Sequence, residues 1–429
     1  MTSTKQVRLH YAWVILLAAC VLNIVSRADA GSFGVFVEPL VGLFGWSRGD
    51  ISFAYSLAFL AGLPAVVIMG WLGDCYGARK LMIGSSILIA IGTILLGTIK
   101  ELWHFYVYYG LFVGSLGNAA FMVLLPVIVT RWFHRHMGMA LGIYWAAMGL
   151  GPVIFSPVFR WLIETRGWER TFPLIGIVVG IILITFSLLI RSTPQEQGLT
   201  AYGAEGLPEE PHAPAASGIA PAGLREVLAR RPVWLLMGIH HLGCVGHAVV
   251  LAHVVSMAIL QGVSGMEAAG VLSTIAGASA ISRFASAVLV ARLGGRTLLT
   301  MALIGQSAPI FILFFANEAW VFYFFAVVFG LCYGGEMVGF PIINRQLFGA
   351  RAPLGTIYSF QMLGAGTGMA LGGWLGGILF DLSGGYTWSI VAAILTTCLG
   401  LPLALALPRH GKPPASGSKV VMRSVRVAG

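Results

Sequence analysis

Arg283 sits inside an otherwise apolar stretch, AAGVLSTIAGASAISRFASAVLVARLGG, nine residues before Arg292. At about 1.5 Å per helical residue it lies roughly 13 Å from the end of the stretch, close to the middle of a bilayer. A guanidinium there costs about 2.5–3.5 kcal/mol on insertion scales unless it faces protein or water. Its stem is too short to carry the charge back to the surface. The natural ligand of a buried guanidinium is a carboxylate held by two parallel hydrogen bonds. Glu336 stands nine residues before Arg345, at about the same depth. A carboxyl group there is neutral unless a cation holds it charged, so Glu336 reads as a proton carrier, as a counter-ion to Arg283, or as a structural carboxyl bonded in the Gly334-Gly335 notch.

Other polar residues at membrane depth extend the set. One apolar stretch holds His240, His241, His247 and His253. His253 lies about 12 Å inside the outer boundary by helix rise, and an imidazole can load and release a proton near neutrality. Arg27 is a second buried cation and a possible second carboxylate clamp; Asp29, two residues on, points away from it on a helix. Asn118 and Tyr333 can orient a ligand hydroxyl or carbonyl, or simply bond across helices. The candidate ligand contacts are therefore Arg283, His253, Asn118, Tyr333 and Arg27, and the candidate proton carriers are His253 and Glu336. No phosphate loop, metal-spaced cluster or Ser/His/Asp set appears, so no enzyme is expected.

The elements that must position these residues follow from composition. Apolar residues are 58% of the 429 and charged residues 10%, a balance that implies a polytopic membrane protein. Apolar runs of about twenty residues recur about twelve times and lack strict alternation, which requires helices, not a barrel. Of the 26 Lys and Arg residues, nineteen fall on the side of the N-terminus, five on the other side, and Arg27 and Arg283 inside spans. That bias makes both termini cytoplasmic in a multi-pass protein of the cell's inner membrane and accounts for the net charge of +10 without nucleic-acid binding. The five cysteines have no paired spacing, and the lipoprotein-like Leu17-Ala18-Ala19-Cys20 lies within a run that continues to Val25.

The expected fold class is all-α, with twelve transmembrane helices in two pseudo-symmetric six-helix bundles. The first bundle covers 1–191. A linker at 192–231, rich in Pro, Ala, Gly and Glu, reads as flexible with a short surface helix near Leu224–Leu228. The second bundle covers 232–408, and 409–429 is a basic, disordered cytoplasmic tail. An internal echo supports the division. GWLGDCYGARK at 70–80 and AVLVARLGGRT at 287–297 are offset by 217 residues, pairing Gly77 with Gly294 and Arg79 with Arg296. Two such repeats with a site at their interface is the general transporter plan.

Gly70-x-x-x-Asp74-x-x-Gly77-x-Arg79-Lys80 resembles the loop motif of the major facilitator superfamily, with Cys75 where a basic residue is usual. HYAWVIL (10–16), FGVFVEPLVGLFGWSR (33–48), RWFHRHMGMALGI (131–143), FGLCYGG (329–335) and LFDLSGGYTWS (379–389) resemble the monocarboxylate transporters and the oxalate/formate antiporter group within it. The resemblance implies that Arg283 is the substrate-binding arginine of the eighth helix and that His253 lines the central cavity. It also implies that Gly70, Asp74, Gly77, Arg79 and Lys80 form a gating motif. Two departures matter. Ser279 stands where eukaryotic members carry a proton-coupling Asp, and span 11 lacks the second cation of the oxalate/formate group, which favours a single-carboxylate ligand. The function so implied is secondary active transport of a small organic monocarboxylate of the lactate or pyruvate kind. Proton symport by alternating access is expected, with the proton as coupling ion, no other cofactor, and the monomer as the working unit in the lipid bilayer. Anion exchange or dicarboxylate transport is the alternative; a non-transporting sensor on the same fold is a remote one.

Overall fold

The computed structural model describes residues 10–204, 229–348 and 354–408, and among these it is helical almost throughout. Span 1 is broken into α1 (Tyr11–Ser26), the single turn α2 (Ala28–Gly31) and α3 (Gly34–Phe44). There follow α4 (Arg48–Tyr76), α5 (Ala78–Leu96) and the short α6 (Leu102–Phe105). A π-helical stretch, Tyr106–Gly117, continues α6 directly into α7 (Asn118–Trp132); α8 (Met137–Arg166) and α9 (Trp168–Leu189) complete the first half. The second half comprises α10 (Arg231–Leu260), α11 (Gly265–Leu293), α12 (Gly295–Ile310), α13 (Ala319–Phe348), α14 (Leu354–Ser383) and α15 (Thr387–Leu405).

Among the described residues, ten helices are long and apolar enough to cross a membrane. The other two spans read from sequence are the broken first one, whose pieces α1 and α3 are shorter apolar helices, and the 29-residue α11. The fold is thus an all-helical polytopic bundle in which backbone groups are satisfied within each helix.

The repeat is visible in the corners. Gly45 and Gly262, Gly77 and Gly294, and Gly167 and Gly384 are each 217 residues apart, and all six have positive φ between 69° and 86°. Each corner needs a left-handed residue to turn the chain between helices, which glycine supplies without steric cost. The paired arginines also match: Arg79 Nε donates to the Ile190 carbonyl at 2.9 Å, and Arg296 Nη2 donates to the Leu405 carbonyl at 2.6 Å. Each guanidinium therefore serves an otherwise open carbonyl at the end of the sixth helix of its own half.

Between the halves, α14 presents two glycine faces. Added Cβ atoms at Gly364, Gly368 and Gly372 would strike backbone oxygens of Met237, His241 and Val245 in α10. On the other face, Gly366, Gly373 and Gly377 leave room for Leu63, Tyr55 and Arg48 of α4. Small residues at this spacing let helices approach closely, so packing is what these glycines do.

The first residues of the expected linker pack against the first half. Tyr202 N donates to Trp132 O at 2.9 Å, its carbonyl accepts from His134 N and Arg135 N, and its ring meets His10, Trp13 and Phe133. The chain after span 6 is thereby pinned to the first half as far as 204. The helix expected near Leu224–Leu228 and the tail at 409–429 lie outside the described residues.

Candidate functional site

Arg283 is held in the second half of α11, 7% exposed, and its Nη1 donates to the Trp145 carbonyl of α8 at 3.2 Å. That bond crosses between the halves. Arg27 reaches the same space because the chain leaves helical geometry there (φ −106°, ψ 8°), ending α1 and aiming the side chain inward. Asp29 turns the other way, accepting from Thr93 Oγ1 at 2.9 Å, so the two charges do not pair.

A cavity of about 110 Å³ lies between the two arginines. Arg27, Gly31, Tyr55 and Pro152 line it from the first half; Ser279, Arg283, Tyr333 and Met369 line it from the second. Its volume is well below the roughly 300–1,000 Å³ of pockets for drug-sized ligands. Chemically it offers two guanidinium groups, two phenols and the Ser279 hydroxyl to an otherwise apolar space, groups of the kind that can hold a small anion.

The sequence candidates divide by position. Arg283, Arg27 and Tyr333 converge on the cavity. Asn118 is buried where the π-helical stretch passes into α7 and is not among the lining residues. His253 is fully buried and also outside the lining. Its Nε2 lies 2.9 Å from Gly373 O and 3.3 Å from Ser52 Oγ, and its Nδ1 lies 3.2 Å from Tyr386 OH. Glu336 is 1% exposed and sits behind the cavity wall, bonded to Gln306 and facing His247. Among the motif residues, Gly77 makes the α4–α5 corner and Arg79 caps Ile190, while Lys80 is exposed. Gly70 faces Val123 of α7, and the side chain of Asp74 lies outside the described residues.

The halves meet most firmly at one end. Asp381 accepts from the backbone N–H groups of Arg48 (3.1 Å) and Gly49 (2.6 Å). Arg48 also pairs with Glu38 at 2.7 Å and lies over the Phe380 ring at 4.3 Å. Ser52 at His253 and Ser56 Oγ on the Ala370 carbonyl continue the seam inward. Sequence reasoning named His247 among the histidines of its span without choosing it as a site residue, and it missed Asp381 and Gln306. For Asp381 a signal was available, an acidic residue at a helix end opposite the N-terminus of α4; Gln306 carried none.

A family model for the Major Facilitator Superfamily matches residues 19–351. The chain belongs to the Major Facilitator Superfamily. This membership makes it a membrane transporter, not an enzyme. It is 26% identical over 408 residues to a rat (Rattus norvegicus) protein named monocarboxylate transporter 13, covering 93% of this chain and 89% of that one. It is also 26% identical over 416 residues to human (Homo sapiens) monocarboxylate transporter 11, covering 93% and 83%. Among solved structures, a bacterial homolog of the human lysosomal transporter Spinster superposes with a TM-score of 0.72 at 15% identity, covering 92% of this chain and 95% of that one. That likeness concerns the fold alone.

Proposed function

We propose that this transporter moves small monocarboxylates of the lactate or pyruvate kind together with a proton, by alternating access. The observation that carries the reading is the small cavity at which Arg283 and Tyr333 of one half meet Arg27 and Tyr55 of the other. A carboxylate bridging the halves through these groups binds the closed arrangement better than an open one, and a ligand shifts an equilibrium only by such a difference. Similarity to proteins named monocarboxylate transporters supports the ligand class. Lys and Arg bias sets the N-terminus and tail on the cytoplasmic side of the inner membrane, which makes the Arg48–Asp381 end the outer one. The working unit is the monomer.

A dicarboxylate, or exchange of one carboxylate for another, is the second reading, favoured by the second guanidinium at the cavity. Thermal unfolding of the purified full-length protein with lactate, pyruvate, formate, oxalate and succinate separates the two. Lactate or pyruvate should raise the melting temperature most. Stabilisation by oxalate or succinate alone would transfer the site to dicarboxylates, and stabilisation by none of them would remove carboxylates altogether.

A further inference from the structure

We propose that His247, Glu336 and Gln306 form the proton-binding site of this transporter, loaded from the substrate cavity through the His247 ring. The proposal rests on the proton-coupled reading above and names the groups that would carry it.

The three side chains come from α10, α13 and α12 and meet in the interior of the second half. Gln306 Nε2 donates to Glu336 Oε2 at 2.7 Å. His247 Nδ1 lies 3.3 Å from Gln306 Oε1 and 3.6 Å from Glu336 Oε2. The other carboxyl oxygen, Oε1, has no hydrogen-bond partner and rests against Gly243, where any Cβ would collide with it. A buried carboxylate with one oxygen unserved is costly, and one added proton removes the net charge of the cluster. The cluster therefore has two forms one proton apart, negative and neutral.

Its place behind the cavity wall distinguishes it from a purely structural network. His247 Nε2 lies 3.2 Å from Met369 Sδ, and its ring meets Tyr333 edge-on at 4.8 Å between centroids. Met369 and Tyr333 both line the cavity. Methionine has three rotatable bonds and a thioether that accepts only weakly, so one rotamer change uncovers Nε2 to cavity water. The imidazole takes a proton at Nε2 and releases its Nδ1 proton to Glu336 Oε2 as the 3.6 Å separation closes. One proton enters, the ring ends as the other neutral tautomer, and the carboxyl ends neutral. A carboxylate bound at Arg283 puts negative charge beside Tyr333, three residues from Glu336 on α13, and so favours the protonated cluster. By linkage the protonated cluster favours the anion equally.

The surrounding titratable groups are His240 and Cys244 on α10, Arg283 on α11, Tyr333 on α13 and Tyr358 on α14; α12 contributes Gln306, which does not titrate. His240 is stacked on Phe340 at 4.0 Å. The competing carboxyl is Asp29 of the first half, buried, with Oδ2 bonded to Thr93 and Oδ1 without a partner.

The test uses full-length protein in liposomes with radiolabelled lactate, comparing accumulation under an inward proton gradient with lactate–lactate counterflow under none. One-for-one symport accumulates lactate about tenfold per pH unit of gradient. Glu336→Gln and His247→Asn should abolish that accumulation while counterflow falls much less and loses its pH dependence. Glu336→Asp should restore a gradient response, and Asp29→Asn should keep it. If His247→Asn does not fold, the Glu336→Gln and Glu336→Asp pair decides the matter. Accumulation in wild type that persists in Glu336→Gln, or is lost in Asp29→Asn instead, overturns this site and leaves symport standing. Counterflow without accumulation in wild type overturns symport and this site together, as does the absence of lactate transport in either mode.

Discussion

The two halves share their corners but not their interiors. In the first half the core is a lattice of rings: Phe36 meets Phe159 at 5.0 Å, Phe172 at 5.4 Å and Trp168 at 5.8 Å, and Phe33 joins Tyr55 and Tyr109. Its buried polar groups make separate contacts, among them Asn23 on the Tyr144 carbonyl, Asp29 with Thr93 and Ser156 with Ser32. In the second half the interior holds His240, His247, His253, Gln306, Glu336, Asn344 and Gln361, all at most 4% exposed. Aromatic packing is insensitive to protons and anions, whereas a polar interior changes its energy with each. The repeat has thus been divided into a frame and a responsive half, with the cavity between them.

The largest expected effect lies on the responsive side. Arg283→Lys should weaken carboxylate binding about a thousandfold, about 4 kcal/mol, because an ammonium cannot supply the two-pronged planar contact. Arg27→Lys, on the frame side and only partly buried, should cost about tenfold. Calorimetric titration of both folded variants checks the ratio. Equal losses would mean that the halves share the anion evenly.

The frame should fail in stability instead. Phe36→Ala removes a fully buried ring with four aromatic neighbours and should destabilise by about 3 kcal/mol. Unfolding in detergent measures this, and carboxylate affinity of the folded fraction should hold. A loss of affinity as large as that of Arg283→Lys would erase the distinction between frame and site.

Much of this division was legible in the residues. The repeat offset of 217 appears in both sequence and corners, and Arg283, Tyr333 and Arg27 do share one cavity. Depth is readable from helix rise, because each residue adds a fixed step along the axis. Rotation is not readable in the same way. Each residue turns a helix by about 100°, so small errors in register or crossing angle exchange a lining position for a buried one. Hence His253 and Asn118, at suitable depth, lie off the cavity, while His247 lies directly behind it. The break at Arg27 and the π-helical stretch at Tyr106–Gly117 depend on neighbouring helices and leave no periodic mark in the sequence.

A smaller effect is expected where the halves are latched. Asp381 accepts two backbone N–H groups in the first turn of α4, so its charge serves a helix N-terminus across the interface. Asp381→Asn keeps the shape but surrenders the charge and one acceptor, and should move the balance toward opening at this end by about 1 kcal/mol. Spin-label distances across the Arg48–Asp381 end would report it. An unchanged distribution would mean that glycine packing of α14 on α4 alone holds the end shut.

The smallest effect tests whether polar contacts hold the responsive half together at all. Asn344 Nδ2 donates to Gln361 Oε1 at 2.9 Å, and Gln361 Nε2 donates back to Asn344 Oδ1 at 2.7 Å, tying α13 to α14 with both amides buried. Gln361→Leu leaves the Asn344 amide with neither bond and should cost about 1–2 kcal/mol. Replacing both by Leu removes the stranded group as well, so the double variant should recover to within about 0.6 kcal/mol of wild type. A double-mutant cycle by unfolding in detergent then yields the pair's coupling, expected at about 0.6–1.7 kcal/mol as for other interhelical bonds in membranes. That is less than the single ring Phe36 should contribute to the frame. A coupling well above it would make the second half the more rigid of the two and reverse the division drawn between them.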